Sequence, residues 1–167
     1  VYIGGKKVGT VGFTGTTVSE QSLEFKMTDA TGDQEIKFLL ETDDGKNDTF
    51  VNSYKLYYIP DAPTPEPTKQ PTVEPTPSAS QEPKLVSSGE CNKMTCGGQY
   101  AKPVPGKDYV TLYGNGDYCS TSYNFEGTNK KYRMVVKGAS DNSSTAKVSV
   151  YIGGKKVGTV GFTGTTV

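Results

Sequence analysis

The chain has 167 residues, with Lys plus Arg equal to Asp plus Glu at 18 each, and neither histidine nor tryptophan. The balanced charge removes the electrostatic case for nucleic acid or an anionic membrane surface. No apolar run approaches the roughly 18 residues of a membrane-spanning helix, and without histidine there is no Ser-His-Asp or Cys-His nucleophile system and no His-ligated zinc.

In chain order the signals are those of short strands. Val1–Ile3, Gly4–Lys7 and Val8–Val11 read as a hairpin turned by glycines. Ser22–Met27, Glu35–Leu40 and Tyr54–Ile59 alternate polar and apolar with period two, as do Tyr109–Tyr113, Ser120–Phe125, Tyr132–Val136 and Ala146–Ile152. Polar turn clusters separate them: TGD from Thr31, DDGKND from Asp43, GNGD from Gly114 and GASDNSS from Gly138. About nine strands with no 3.6-residue stripe predict an all-β antiparallel sandwich with almost no helix.

Two features break the chain into parts. Pro60 to Pro83 holds eight of the ten prolines, so it reads as an extended polyproline spacer. The last eighteen residues, Val150–Val167, repeat Val1–Val18 letter for letter. Residues 1–59 then read as the C-terminal part of one module and 84–167 as the N-terminal part of the next copy, with 60–83 as the linker. The chain, which starts at Val1 without an evident signal peptide, reads as a window across tandem copies. Because the first and last strands of a sandwich often lie side by side, the two parts are expected to fold together as a permuted or split module. One hairpin copy is then left over, and a strand-exchanged homo-oligomer becomes possible.

Cys91, Cys96 and Cys119 predict one structural disulfide and one spare thiol in a secreted setting, with the pair left open. A C-x4-C pair without histidine does not make a zinc site. The densest polar cluster is Thr42–Asp48, whose crowded carboxylates are either a solvated turn or a calcium site, although the spacing is not that of an EF-hand. Nothing in the sequence places two acids on facing strands, rather than in turns, as a glycosidase pair requires. Tyr100, Tyr113 and Tyr118 lie in or beside Gly-rich turns, where a ring is able to stack on a sugar.

Read in module order, the stretches GGQYAKPVPGKDYVTLYGNGDYCSTSYNF (97–125), VKGASDNSSTAKVSVYIGGKKVGTVGFTGTT (136–166) and TDATGDQEIKFLLETDDGKNDTFVNSYKLYYI (28–59) resemble family 36 carbohydrate-binding modules. These are calcium-dependent xylan binders attached to bacterial xylanases. The resemblance implies a β-jelly roll, a secreted non-catalytic module joined to a xylanase or other glycoside hydrolase, and xylan held through a Ca2+ ion that coordinates xylose hydroxyls. Within the family's S/T-D-D-G-x-W-D motif the metal-ligating acids match Asp43 and Asp48. Backbone carbonyls at the positions of Asn47 and Tyr100 complete the set, and Tyr100 and Tyr113 match its sugar-contacting aromatics. Asn47 stands where the family has tryptophan, so the indole wall is missing. A second, structural calcium is implied at Glu90 and Asn52, where asparagine replaces the family's aspartate. The alternative reading is a calcium-stabilised structural or adhesion repeat that has lost sugar binding.

Overall fold

The computed structural model describes residues 1–3, 6–11, 18–28, 31–42, 48–61, 82–141, 146–152 and 155–161. The central part of the proline-rich segment, 62–81, lies outside the described residues.

Alternation in the sequence becomes alternation in space. In β4 (Gly32–Thr42), Ile36, Phe38 and Leu40 turn inward. Tyr132, Met134 and Val136 of β11 (Lys130–Ser140) do the same from the opposite layer. Side chains two apart share a face of a pleated strand, so three consecutive inward positions give each strand an apolar side to bury. The remaining strands are β1 (Tyr2–Ile3), β2 (Lys6–Val11), β3 (Ser19–Met27), β5 (Thr49–Ile59), β6 (Lys84–Glu90), β7 (Thr95–Gly97), β8 (Lys102–Pro103), β9 (Val110–Leu112), β10 (Tyr118–Phe125), β12 (Lys147–Ile152) and β13 (Lys155–Gly161). One sheet runs β13-β12-β2-β1-β4-β10-β7. The other runs β3-β11-β5-β9-β8, with β6 also on β5. All pairings are antiparallel among the described strands. This is an all-β antiparallel sandwich.

Residues from both sides of the proline-rich segment share each sheet. β10 pairs with β4 from Tyr118↔Leu39 to Phe125↔Gly32, and β11 lies between β3 and β5. The core between the layers includes Phe38, Phe125, Leu56, Leu112 and Met134, all fully buried. An aromatic cluster closes one part of it: Tyr132 stacks on Phe25 at 5.7 Å and meets Phe125 edge-on at 5.1 Å. Burial pushes the Tyr132 hydroxyl up to about 12, with Tyr123, Tyr58 and Glu126 adding to the effect.

The structure departs from the sequence expectation in three places. Strands are more numerous, with thirteen among the described residues, and several are longer than expected. Gly138–Ser140, read as a turn, belongs to β11, and β6, β7 and β8 were not anticipated. β6 lacks alternation because it pairs only with β5 and keeps much of its surface in solvent. Second, Cys91–Lys93 forms one turn of 3-10 helix. Third, the expected disulfide is not formed. Cys96 faces Cys119 across the β7–β10 ladder, Cys91 and Cys119 are hydrogen-bonded, and all three are free thiols. Burial, then the contact with Cys119, raises the Cys91 thiol well above its usual range.

Candidate functional site

The β5–β9 ladder ends at Thr49↔Leu112, so the next residues along, Asp48 and Tyr113, leave the sheet side by side. Tyr113 opens a tight turn in which Asp117 N donates to Gly114 O at 3.0 Å. That turn is tied to the end of β4: Leu40 N donates to Asp117 O (2.9 Å) and Gly116 N to Leu40 O (2.8 Å). The chain that leaves β4 at Thr42 and re-enters at Asp48 therefore starts and finishes beside the same turn.

Asp117 organises this end of the sandwich. Its side chain is fully buried, and its carboxylate accepts four backbone N–H bonds. Oδ1 takes Gln99 N at 2.8 Å and Tyr100 N at 3.0 Å, and Oδ2 takes Tyr113 N at 3.0 Å and Gly114 N at 3.2 Å. Hydrogen bonds to an ionised acceptor are about twice as strong as neutral ones, and four of them offset the cost of burying a charge. One carboxylate thus fixes the two tyrosine-bearing loops at a set separation. The approach requires glycine at position 98. Its φ is +101°, and a Cβ there would lie 2.5 Å from Asp117 Oδ1.

The result is a cleft of about 400 Å³ lined by Gln99, Tyr100, Lys102 and Tyr113. Tyr100 is 55% exposed, an unusual state for so large an apolar ring. Lys102 Nζ stands 5.4 Å from the centre of the Tyr113 ring, within cation–π range. A second cleft, of about 430 Å³, lies on the sheet among Glu35, Lys93, Met94, Thr95 and Ser120–Ser122. It offers hydroxyls but no aromatic ring, so we favour the smaller one as a place for a sugar.

Asp48 is held from the other side. Its N–H donates to Asp141 Oδ1 at 2.5 Å, and its carbonyl accepts from Asp141 N (3.1 Å) and Ser140 Oγ (3.2 Å). Asp141 follows directly on β11, so its acid is delivered by the same strand that carries the core. Three sequence-derived candidates, Asp48, Tyr100 and Tyr113, come together at one end of the molecule. Asp43 and Asn47 lie outside the described residues. Among the described residues, no three His, Cys, Asp or Glu side chains group as metal ligands do. Asp117, Asp141 and Lys102 were not singled out. The only signal for Asp117 was its place after Gly-x-Gly, where a turn-forming Asp is common.

Glu90 and Asn52 lie on the adjacent strands β6 and β5, Glu90 exposed and Asn52 buried. Ser53 pairs with Glu90, which brings Asn52 opposite Cys91 and close to the 3-10 turn. A bulge in β5, where Lys137↔Ser53 is followed by Gly138↔Val51, makes Asn52 the extra residue and turns it inward. Asn52 Oδ1 and Asn92 Oδ1 are buried acceptors without a hydrogen-bond partner, and Asn92 Nδ2 donates to Lys107 O at 2.9 Å. Orphaned oxygens of this kind suit a cation in donor type. In charge the fit is poor, because the one carboxylate, Glu90, is already ion-paired with Lys93 at 2.6 Å.

Comparison with known proteins adds one relative. An arabinoxylan arabinofuranohydrolase from Paenibacillus polymyxa is 43% identical over 82 residues, which is 48% of this chain and 13% of that protein. The chain thus spans about 13% of the length of the relative it matches. No protein-family model matches, and no solved structure matches. No helix among the described residues is long and apolar enough to cross a membrane.

Proposed function

We propose that the chain is a secreted, non-catalytic module that binds xylan, holds the sugar between Tyr100 and Tyr113, and targets an attached hemicellulase to plant cell walls. The observation that carries this reading is the Asp117 carboxylate, which bonds the backbones of both tyrosine loops beside Asp48. The small matched share of an arabinoxylan-degrading enzyme supports an ancillary role over a catalytic one.

In this reading Asp43 and Asp48 hold a calcium ion, helped by the carbonyls of Asn47 and Tyr100. When bound, the ion supplies coordination positions that vicinal sugar hydroxyls take over from water. The residues of the chain do the rest. Asp141 fixes the Asp48 backbone, which keeps its carboxylate from drifting. The phenol rings cover the apolar face of a pentose while their hydroxyls stay in water. A pentose has no C6 hydroxymethyl group, so a site crowded at that position would reject glucans by steric clash. Extracellular calcium sites bind with dissociation constants on the order of 10⁻⁴–10⁻³ M, so chelation reverses binding readily.

Affinity electrophoresis in gels containing soluble xylan tests this. Retardation with calcium that EDTA abolishes is the expected result. Equal mobility with and without xylan would overturn it and favour a calcium-stabilised structural or adhesion repeat. Release of reducing sugar from xylan by the purified chain would overturn the non-catalytic assignment.

A further inference from the structure

We propose that the three cysteines form a thiol–disulfide exchange site. Cys96 takes up a low-molecular-weight disulfide at the rim of the sandwich and passes the oxidation through Cys119 to Cys91, which bridges the two sheets. The proposal rests on strand register and burial and is independent of the sugar site.

The chain holds three cysteines, and all three are free thiols. Cys96 of β7 stands directly opposite Cys119 of β10. Directly opposed residues of an antiparallel pair project their side chains from the same face of the sheet. Cys119 is also opposite Phe38 of β4, which is fully buried, so that face is the core face. Cys91 reaches the same place from the other layer. It opens the 3-10 turn that follows β6, a strand paired with β5 of the second sheet, and its thiol is hydrogen-bonded to Cys119. Cys119 therefore neighbours both of the others. Opposed Cβ atoms lie about 4.5–5.5 Å apart and a disulfide needs about 3.5–4.5 Å, so a small approach of β7 closes Cys96–Cys119.

Access sets the direction. Cys91 and Cys119 are fully buried, whereas Cys96 is half-buried where the strand order of the first sheet ends at β7. Its hydrogen bond to Met94 O is long, at 3.9 Å. Cys96 is thus the thiol that an external disulfide meets. Burial, then the neighbouring Cys119, raises the Cys96 thiol above its ordinary value, so its thiolate is scarce and exchange at neutral pH is slow.

With glutathione disulfide the steps balance as follows. The Cys96 thiolate, its proton lost to water, attacks one sulfur, breaks the S–S bond and releases one glutathione thiolate. The Cys119 thiolate attacks the Cys96 sulfur, releases the second glutathione and forms Cys96–Cys119. Cys91 then attacks the Cys119 sulfur, which frees Cys96 again and leaves Cys91–Cys119. Two protein thiols are oxidised, and one external disulfide is reduced to two thiols.

The full chain and three variants, incubated with glutathione disulfide at alkaline pH, test the idea by alkylation of free thiols and peptide mapping. The parent should end with a Cys91–Cys119 bridge, an alkylated Cys96 and a raised melting temperature. Cys96→Ser should oxidise more slowly by at least about tenfold. Cys119→Ser should stop with glutathione on Cys96, and Cys91→Ser should stop at Cys96–Cys119. Oxidation of Cys96→Ser at the parental rate would overturn the entry role of Cys96. A parent chain that stops at Cys96–Cys119 or keeps glutathione on any cysteine would overturn the transfer. Cys96→Ser changes a half-buried rim residue, so it and the parent decide the matter even if Cys119→Ser does not fold.

Discussion

Two oxygen-rich places in this molecule differ in charge. At the tyrosine cleft the acids Asp48, Asp117 and Asp141 lie within one set of loops, and the buried carboxylate of Asp117 is satisfied by four amides. At the β5–β6 surface the buried oxygens belong to two neutral amides, Asn52 and Asn92, and they are left without partners. Calcium affinity follows the number of charged ligands and the rigidity of their support. The first place has acids on a rigid support, whereas the second has neutral oxygens on a rigid support. That difference is why we propose ligand binding at the first place and read the second as packing that tolerates an unsatisfied acceptor.

The sharpest way to break this contrast is to remove its organiser. Asp117→Ala leaves four buried N–H groups without their acceptor, at about 1–3 kcal/mol for each one that finds no water. We expect urea midpoints to fall by the equivalent of at least about 3 kcal/mol, with xylan retardation lost as well. A variant of wild-type stability would mean that Asp117 does not fix the loops. Asp48→Ala should separate the two effects: retardation disappears, while the far-UV circular dichroism spectrum and melting temperature stay close to those of the parent. Unchanged retardation would take Asp48 out of the site.

The neutral place is tested by adding the charge it lacks. Asn52→Asp puts a carboxylate at a position only 4% exposed. With EDTA the variant should be less stable than the parent, because a buried charge is left uncompensated. With millimolar calcium it should recover and show a stabilisation of about 1–2 kcal/mol, roughly 2–8 °C in Tm. The parent chain should respond far less at this place, and a variant indifferent to calcium would show that no cation enters. The smallest effect is expected from Asn47→Trp, which restores an aromatic wall at the sugar site. Titration with xylohexaose should show tighter binding by about 0.5–1.5 kcal/mol, and a neutral result would place residue 47 away from the ligand.

The sequence made the sandwich legible because its central strands bury one face and therefore alternate, as β4 and β11 do. It hid β6, β7 and β8 because these lie at or near sheet edges, where burial imposes no pattern. Tyr100, Tyr113 and Asp48 stood out through their place in Gly-rich and acidic turns, and the motif resemblance gave them roles; periodicity did not. Asp117 and Asp141 were missed because an Asp in a Gly-rich turn looks the same whether it caps its own turn or gathers amides from distant loops. Only long-range pairing, such as Leu40 with Asp117, distinguishes the two. The inward turn of Asn52 was likewise invisible, since it depends on a bulge set by β11.

Crystals grown with calcium and xylotriose test the central claim most directly. The account predicts an ion ligated by Asp43 and Asp48, with two adjacent hydroxyls of one pentose in its coordination shell and the rings of Tyr100 and Tyr113 against the sugar. Xylotriose seated instead in the hydroxyl-lined cleft around Ser120–Ser122, or a tyrosine cleft holding water alone, would contradict it.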